Sequence, residues 1–231
     1  MTERQWRLNG IPALLLGEAS RRVFLFLHGA GGNKEEARAF AQVVCPKGYQ
    51  VLGIDLPGHG ARKGSEPGLY PWTAVPELKG VMAWLKEDDR QISIRANSIG
   101  AWLAMMAFSG EPAESLFVSP VLDMERLIRT MMTWAGVTEE RLKAEGEIPT
   151  EFGETLSWRY YTYVKEHPVL NWRAVTHILY AGGDHLTARA DVERFAAAHG
   201  GSLTVMEDGE HWFHTGEQLA FLRDWEDRMT G

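Results

Sequence analysis

The sequence contains a single cysteine, Cys45, so no disulfide can form within the chain. Its neighbours Val43, Val44 and Pro46 place that thiol in or beside an apolar core, where a catalytic role is not expected. Positive charge is also scarce. Twenty-four Lys and Arg stand against thirty-one Asp and Glu, a net charge of −7. That balance lacks the basic footprint needed for nucleic acid or an anionic membrane. No apolar run approaches the length of a membrane span, and residues 1–10 are polar, without the apolar core of a signal peptide. Internal repeats and low-complexity linkers are absent too. These absences leave a soluble, cytoplasmic protein acting on a small molecule as the expectation, with no sign of a partner protein or of oligomeric state.

The composition is that of a globular chain, 45% hydrophobic and 24% charged, and 231 residues can bury one large core. The chain opens with two apolar runs, Arg4 to Leu8 and Ile11 to Leu16, around Asn9-Gly10, a strong hairpin signal. Val23 to Leu27 is a continuous apolar run, as expected of a strand buried on both faces. From there the pattern alternates. Strands are predicted at Gln50 to Ile54, from Gln91, at Ser115 to Val118, His177 to Ala181 and Ser202 to Met206. Helices are predicted at Lys34 to Val44, Thr73 to Glu87, from Gly100 through the apolar run to Phe108, Ala188 to His199 and Gly216 to Arg228. Such alternation implies a mostly parallel sheet of about eight strands with helices on both faces. The chain therefore reads as one α/β domain, 1–231. Within it, 121–174 shows helical patterns at Leu122 to Trp134, Thr138 to Lys143 and Thr155 to Val164 and no strand pattern, which marks a helical cap insertion. That insertion is rich in aromatic and methionine side chains, and Met131, Trp134, Trp158 and Tyr161, with Trp212 outside it, are candidates for an apolar substrate pocket.

Ligands of such sheets bind beyond the carboxyl ends of the strands. Four loops there carry chemistry. His28-Gly29-Ala30-Gly31-Gly32 follows the first parallel strand, and its glycines can turn backbone N–H groups inward. The spacing fits neither a dinucleotide fingerprint nor a phosphate-binding P-loop. Ala96-Asn97-Ser98-Ile99-Gly100 reads as a strand turning sharply into a helix with a serine at the bend. By itself Ser98 could equally be a helix N-cap. Asp184 follows Gly182-Gly183, and His211 follows Gly209-Glu210. A serine needs a base, imidazole titrates in a suitable range, and a carboxylate selects the imidazole tautomer. Asp55 and His59, in Asp55-Leu56-Pro57-Gly58-His59-Gly60, are expected to brace the loop beside the site. Asp123 competes with Asp184 for the carboxylate role. His211 and His214 form a lone H-x-x-H, weak evidence for a metal.

Together these five motifs resemble, in order, those of the α/β-hydrolase superfamily over nearly the whole chain. The resemblance implies Ser98 as nucleophile, His211 as general base and acid, and Asp184 as the orienting carboxylate. It also implies an oxyanion hole formed by the N–H groups of Ala30 and Ile99, and no metal or organic cofactor. Two departures stand out: Ala96 replaces the first glycine of the family's G-x-S-x-G, and Ala101 stands where a further glycine often follows. Both suggest a wider spacing of strand and helix at the bend. The implied activity is hydrolysis of a small-molecule carboxylic ester through an acyl-enzyme. A thioester, an amide or a carbon-carbon bond cleaved by the same residues, a lyase activity, and a non-catalytic binding member of the fold are the alternatives.

Overall fold

A computed structural model of the protein describes residues 1–64, 68–110, 112–169 and 172–231. The elements run β1 (Glu3–Leu8), β2 (Ile11–Leu16), β3 (Arg22–Leu27), α1 (Ala37–Val44), β4 (Gln50–Ile54), α2 (Pro71–Lys86), β5 (Gln91–Asn97), α3 (Ile99–Phe108) and β6 (Glu114–Val118). Then follow α4 (Met124–Trp134), α5 (Glu139–Glu145), β7 (Glu147–Pro149), β8 (Thr155–Ser157) and α6 (Trp158–Glu166). The chain closes with β9 (Val175–Ala181), α7 (Arg189–Ala198), β10 (Leu203–Met206) and α8 (Gly216–Met229). Eight strands form one sheet in the order β1-β2-β4-β3-β5-β6-β9-β10. β1, β2 and β4 pair antiparallel, and every other pairing is parallel. This is the α/β sheet expected from the alternating pattern. No helix among the described residues is long and apolar enough to cross a membrane.

The chain divides into two compact units, Met1–Leu122 with Asn171–Gly231, and Asp123–Leu170. The larger unit holds the sheet. On one face Phe24, Phe26, Val51, Leu116, Val118, Leu179 and Ala181 form a single buried cluster with Ala37, Phe40, Ala41 and Val44 of α1 and Trp225 of α8. Residues two apart share a face of a strand, so Leu25, Leu27, Leu52 and Ile54, all buried, point the other way. On that side α3 lies on β3 and β5 and packs against α2. α3 is apolar all round and buried from Gly100 to Met105, as a helix enclosed on every side must be. At the first hairpin Asn9 (φ 51°) and Gly10 (φ 84°) both take the left-handed conformation that a two-residue turn requires.

The smaller unit differs from expectation. Thr155 to Val164 was expected as one helix, but β8 takes its first three residues and pairs antiparallel with β7 before α6 starts. The break lies where Ser157 accepts a hydrogen bond from the Tyr160 N–H and caps α6. Strands of three residues are too short to show a period, so this hairpin was not legible as a pattern. Leu170 and Asn171, within the expected insertion 121–174, lie outside the described residues.

Two buried contacts fix the loops at the strand ends. His28 is fully buried; its Nδ1 donates to the Gly29 carbonyl at 2.8 Å and its Nε2 accepts the Leu56 N–H at 3.0 Å. The neutral ring thus buckles the loop after β3 to the loop after β4. Asp55, also fully buried, accepts from the Lys34 N–H (2.8 Å), the Lys34 ammonium (2.9 Å) and the Ala61 N–H (3.0 Å). Burial alone would push its carboxyl up, but these donors outweigh that effect and hold its pKa below the usual value. Asp55 is a brace, as expected.

Two predictions follow from this packing. Phe40 is buried edge-on against Phe24, with centroids 5.0 Å apart, so Phe40→Ala should lower stability by about 3–5 kcal/mol in urea unfolding. Burial lowers the His28 pKa from 6.5 to about 4. In that window the unfolded chain binds the proton that the folded chain refuses. Stability is therefore full above pH 6.5 and falls as pH drops toward 4, by about 3 kcal/mol for this group. His28→Asn should be less stable at pH 7 but lose less than the unaltered protein between pH 7 and 4. Equal losses in the two proteins would refute the assignment.

Candidate active site

Ser98 sits between β5 and α3 with φ 48° and ψ −119°, a conformation that L-residues rarely adopt. Local sequence cannot hold it there; its neighbours do. Its N–H donates to the Val118 carbonyl at 3.0 Å, and its own carbonyl accepts from Ala101 and Val121, each at 3.1 Å. Gly100 makes the close approach possible. A Cβ there would lie 2.6 Å from the His28 carbonyl oxygen and 2.9 Å from that of Leu27. Ala96 and Ala101 are fully buried, and at Gly100 the helix still meets β3 as closely as a glycine allows. The wider spacing suggested by the two alanines is not present at this contact.

The glycine loop arrives from the other side. A Cβ at Gly29 would lie 3.3 Å from that of Ser98. Ile99, the first residue of α3, has an N–H that no preceding helical carbonyl can satisfy. Among the described residues neither the Ile99 nor the Ala30 N–H donates to another group of the chain.

His211 lies in the loop after β10 and Asp184 in the turn after β9. His211 Nε2 is 2.9 Å from Ser98 Oγ, and its Nδ1 is 2.7 Å from Asp184 Oδ2. The two side chains are 2% and 0% exposed. An ionised carboxylate only accepts, so Nδ1 carries the proton and Nε2 is left to accept from the serine hydroxyl. The other Asp184 oxygen accepts the Leu186 N–H at 2.7 Å and the Thr187 N–H at 3.4 Å, which fixes the carboxylate plane. The acid turn is itself stitched in place. Gly182 and Gly183 N–H groups donate to the Met206 and Gly209 carbonyls, and Thr187 Oγ1 donates to the Pro120 carbonyl at 2.8 Å. Gly182 must lack a side chain there, since a Cβ would stand 2.2 Å from the Glu207 carbonyl oxygen. Beyond His211 the buried Phe213 (φ 44°) anchors the histidine loop in the core.

Asp123, the competing carboxylate, instead caps α4 by accepting the Arg126 N–H at 2.9 Å. His59 Nδ1 donates to the Pro57 carbonyl, and its ring lies 5.3 Å from that of His28. His214 stands near Glu210, and among the described residues no three His, Cys, Asp or Glu side chains are grouped to hold a metal. Trp212 is 64% exposed, its ring edge-on to that of His211 at 5.4 Å. Within the smaller unit, Tyr161 is fully buried and donates to Glu139 at 3.0 Å, with Trp158 tilted against it; this is packing within the unit. Trp134 is exposed and meets Phe152 edge-on, while Met131 is half-buried. The buckle role of His28 and the anchoring by Phe213 and Thr187 were not read from the sequence. The one local signal was the position of His28 at the strand end, before Gly29.

A profile of the Alpha/beta hydrolase family matches residues 24–224. No curated protein matches the sequence significantly. Among solved structures, Est1E from Butyrivibrio proteoclasticus with ferulic acid bound superposes with a TM-score of 0.79 at 16% identity, covering 98% of this chain and 97% of that one. An esterase from Pyrococcus furiosus gives a TM-score of 0.67 at 19% identity, over 99% of this chain and 88% of its own. The thioesterase domain from the curacin biosynthetic pathway gives 0.60 at 18% identity, over 98% and 99%. At such identities the likeness shows a shared fold. The family profile spans most of the chain and contains every strand-end loop described above: this protein belongs to the alpha/beta hydrolase family.

Proposed function

We propose that the protein is a serine hydrolase that cleaves a small-molecule carboxylic ester through an acyl-enzyme on Ser98. The observation that carries this reading is the unbroken hydrogen-bonded chain from Ser98 Oγ through His211 to Asp184, at 2.9 and 2.7 Å. In this mechanism Nε2 of His211 takes the hydroxyl proton as Oγ bonds to the ester carbonyl carbon. The carbonyl π electrons move onto oxygen, and the N–H groups of Ile99 and Ala30 receive the resulting negative charge. Asp184 stabilises the imidazolium, which returns its proton to the departing alkoxide as the C–O bond breaks. Water deprotonated by His211 then attacks the acyl carbon, the acid leaves, and Ser98 recovers its proton. Protein groups and water complete the cycle, so no metal or organic cofactor is called upon. The exposed ring of Trp212 beside His211 supports an apolar substrate wall on that side. An esterase and a thioesterase domain share this fold, which supports an acyl bond, to oxygen or to sulfur, as the one cleaved.

Two measurements test the proposal. A fluorophosphonate probe should label the intact chain and fail to label Ser98→Ala; a folded, unlabelled wild type would refute an activated serine. On p-nitrophenyl esters of increasing acyl length, with a thioester as a parallel substrate, Asp184→Asn should lower kcat by about a thousandfold or more, because the wrong imidazole tautomer is then held. A drop of less than about tenfold would remove Asp184 from the proposed role.

A further inference from the structure

Strand β5 carries an arginine into the apolar core. Arg95 is 1% exposed, and its guanidinium carbon lies 5.5 Å and 5.8 Å from the ring centroids of Phe26 and Phe40. Its Nε donates at 2.8 Å to Oε1 of Glu226 on α8, itself 4% exposed. Removing two charges from water offsets most of what their attraction contributes, so a buried pair of this kind is no better for stability than apolar side chains of equal volume. Its other contacts point to a different role.

Residues 95 and 97 share one face of β5. Arg95 Nη1 donates to Asn97 Oδ1 at 2.6 Å, and Asn97 Nδ2 donates to Glu36 Oε2 at 3.5 Å. The second carboxylate oxygen of Glu36 accepts the Asn33 N–H at 3.1 Å. It also lies against the bare backbone of Gly32, where a Cβ would meet it at 2.4 Å. Four side chains, Glu226, Arg95, Asn97 and Glu36, therefore run without a break from the last helix, past the residue preceding Ser98, to the loop that carries Ala30.

We propose that Glu36 and Asn97 are positioning residues that clamp the glycine loop to the bend at Ser98, with the Arg95–Glu226 pair as their buried anchor. The clamp fixes the spacing between the Ala30 and Ile99 N–H groups, and this inference rests on the hydrolase reading above. Those two donors sit on separate segments. Gly29, Gly31 and Gly32 have no side chains with which to hold the loop, so beyond the His28 buckle at its start its position depends on what grips it from outside. A donor displaced by about an ångström loses much of its hold on developing charge.

A role exchange tests the clamp in the intact chain. Asn97→Asp keeps an acceptor for Arg95 but sets two carboxylates against each other across the Glu36 contact. It should lower kcat for a p-nitrophenyl ester by about tenfold at unchanged KM. Adding Glu36→Gln restores the pair with donor and acceptor exchanged, while the Gln carbonyl still accepts the Asn33 N–H. The double variant should recover to within about twofold of the wild-type kcat. Gly32→Ala provides an independent variant. Its methyl group would displace the carboxylate end of Glu36 and stand 3.0 Å from Cβ of His28, a contact that a shift of a few tenths of an ångström relieves, so the folded variant should lose kcat by more than any change in its Tm accounts for. Wild-type turnover in Asn97→Asp or in Gly32→Ala, or a folded double variant without recovery, would overturn the clamp. If the unaltered protein shows no labelling that depends on Ser98, the hydrolase reading falls and the clamp falls with it. Normal labelling alongside insensitive variants overturns the clamp alone.

Discussion

The backbone at Ser98 is held where an L-residue resists going, at a strain of about 1–3 kcal/mol, and the geometry of the site depends on that constraint. Three hydrogen bonds oppose relaxation, from β6, from the first turn of α3 and from Val121. The side-chain-free surface of Gly100 then lets α3 press against the end of β3. Were the bend to relax, Oγ would swing away from His211 and the first N–H of α3 would turn with it. The central parallel strands β3, β5 and β6 serve as the frame that keeps the strained turn in place.

Around this bend, several buried charged or titratable groups are held by partners from other segments. His28 stays neutral because burial disfavours its charged form, and both its nitrogens are used by backbone groups. Asp55 stays ionised because three donors converge on it. Arg95 and Glu226 face each other in the core beneath the bend. Asp184 divides its carboxylate between backbone N–H groups and His211, so its orientation is set before any substrate arrives. Such pre-set dipoles and charges need no reorganisation when charge develops, the property on which the proposed acyl transfer would draw.

Much of this was legible in the sequence. Continuous apolar runs reveal strands buried on both faces, and Asn-Gly between two of them reveals the hairpin, because burial and turn chemistry are local properties. Ser98, Asp184 and His211 were each identifiable by their place after a strand. The hairpin of β7 and β8 was not, since its strands are three residues long and carry no period. Nor were the contacts of His28 with Leu56 and of Asn97 with Glu36, which join segments 28 and 61 residues apart. Glu36 looks like one more polar residue of a helix start until Asn97 and the bare backbone of Gly32 are seen beside it.

The order of strands and helices, and the chemical types delivered to the strand ends, were determined by the sequence alone, through hydrophobic period and turn residues. Tertiary structure decided which carboxylate meets the histidine. Asp123 caps a helix while Asp184 reaches His211 across 27 residues, and His211 reaches Ser98 across 113. It also decided that His28 is a buckle and that the core holds a paired arginine. These outcomes hinge on distances between segments remote in the chain. Such distances are set by the strand order β4-β3-β5-β6-β9-β10 and the close packing of helices on it, which no local pattern encodes.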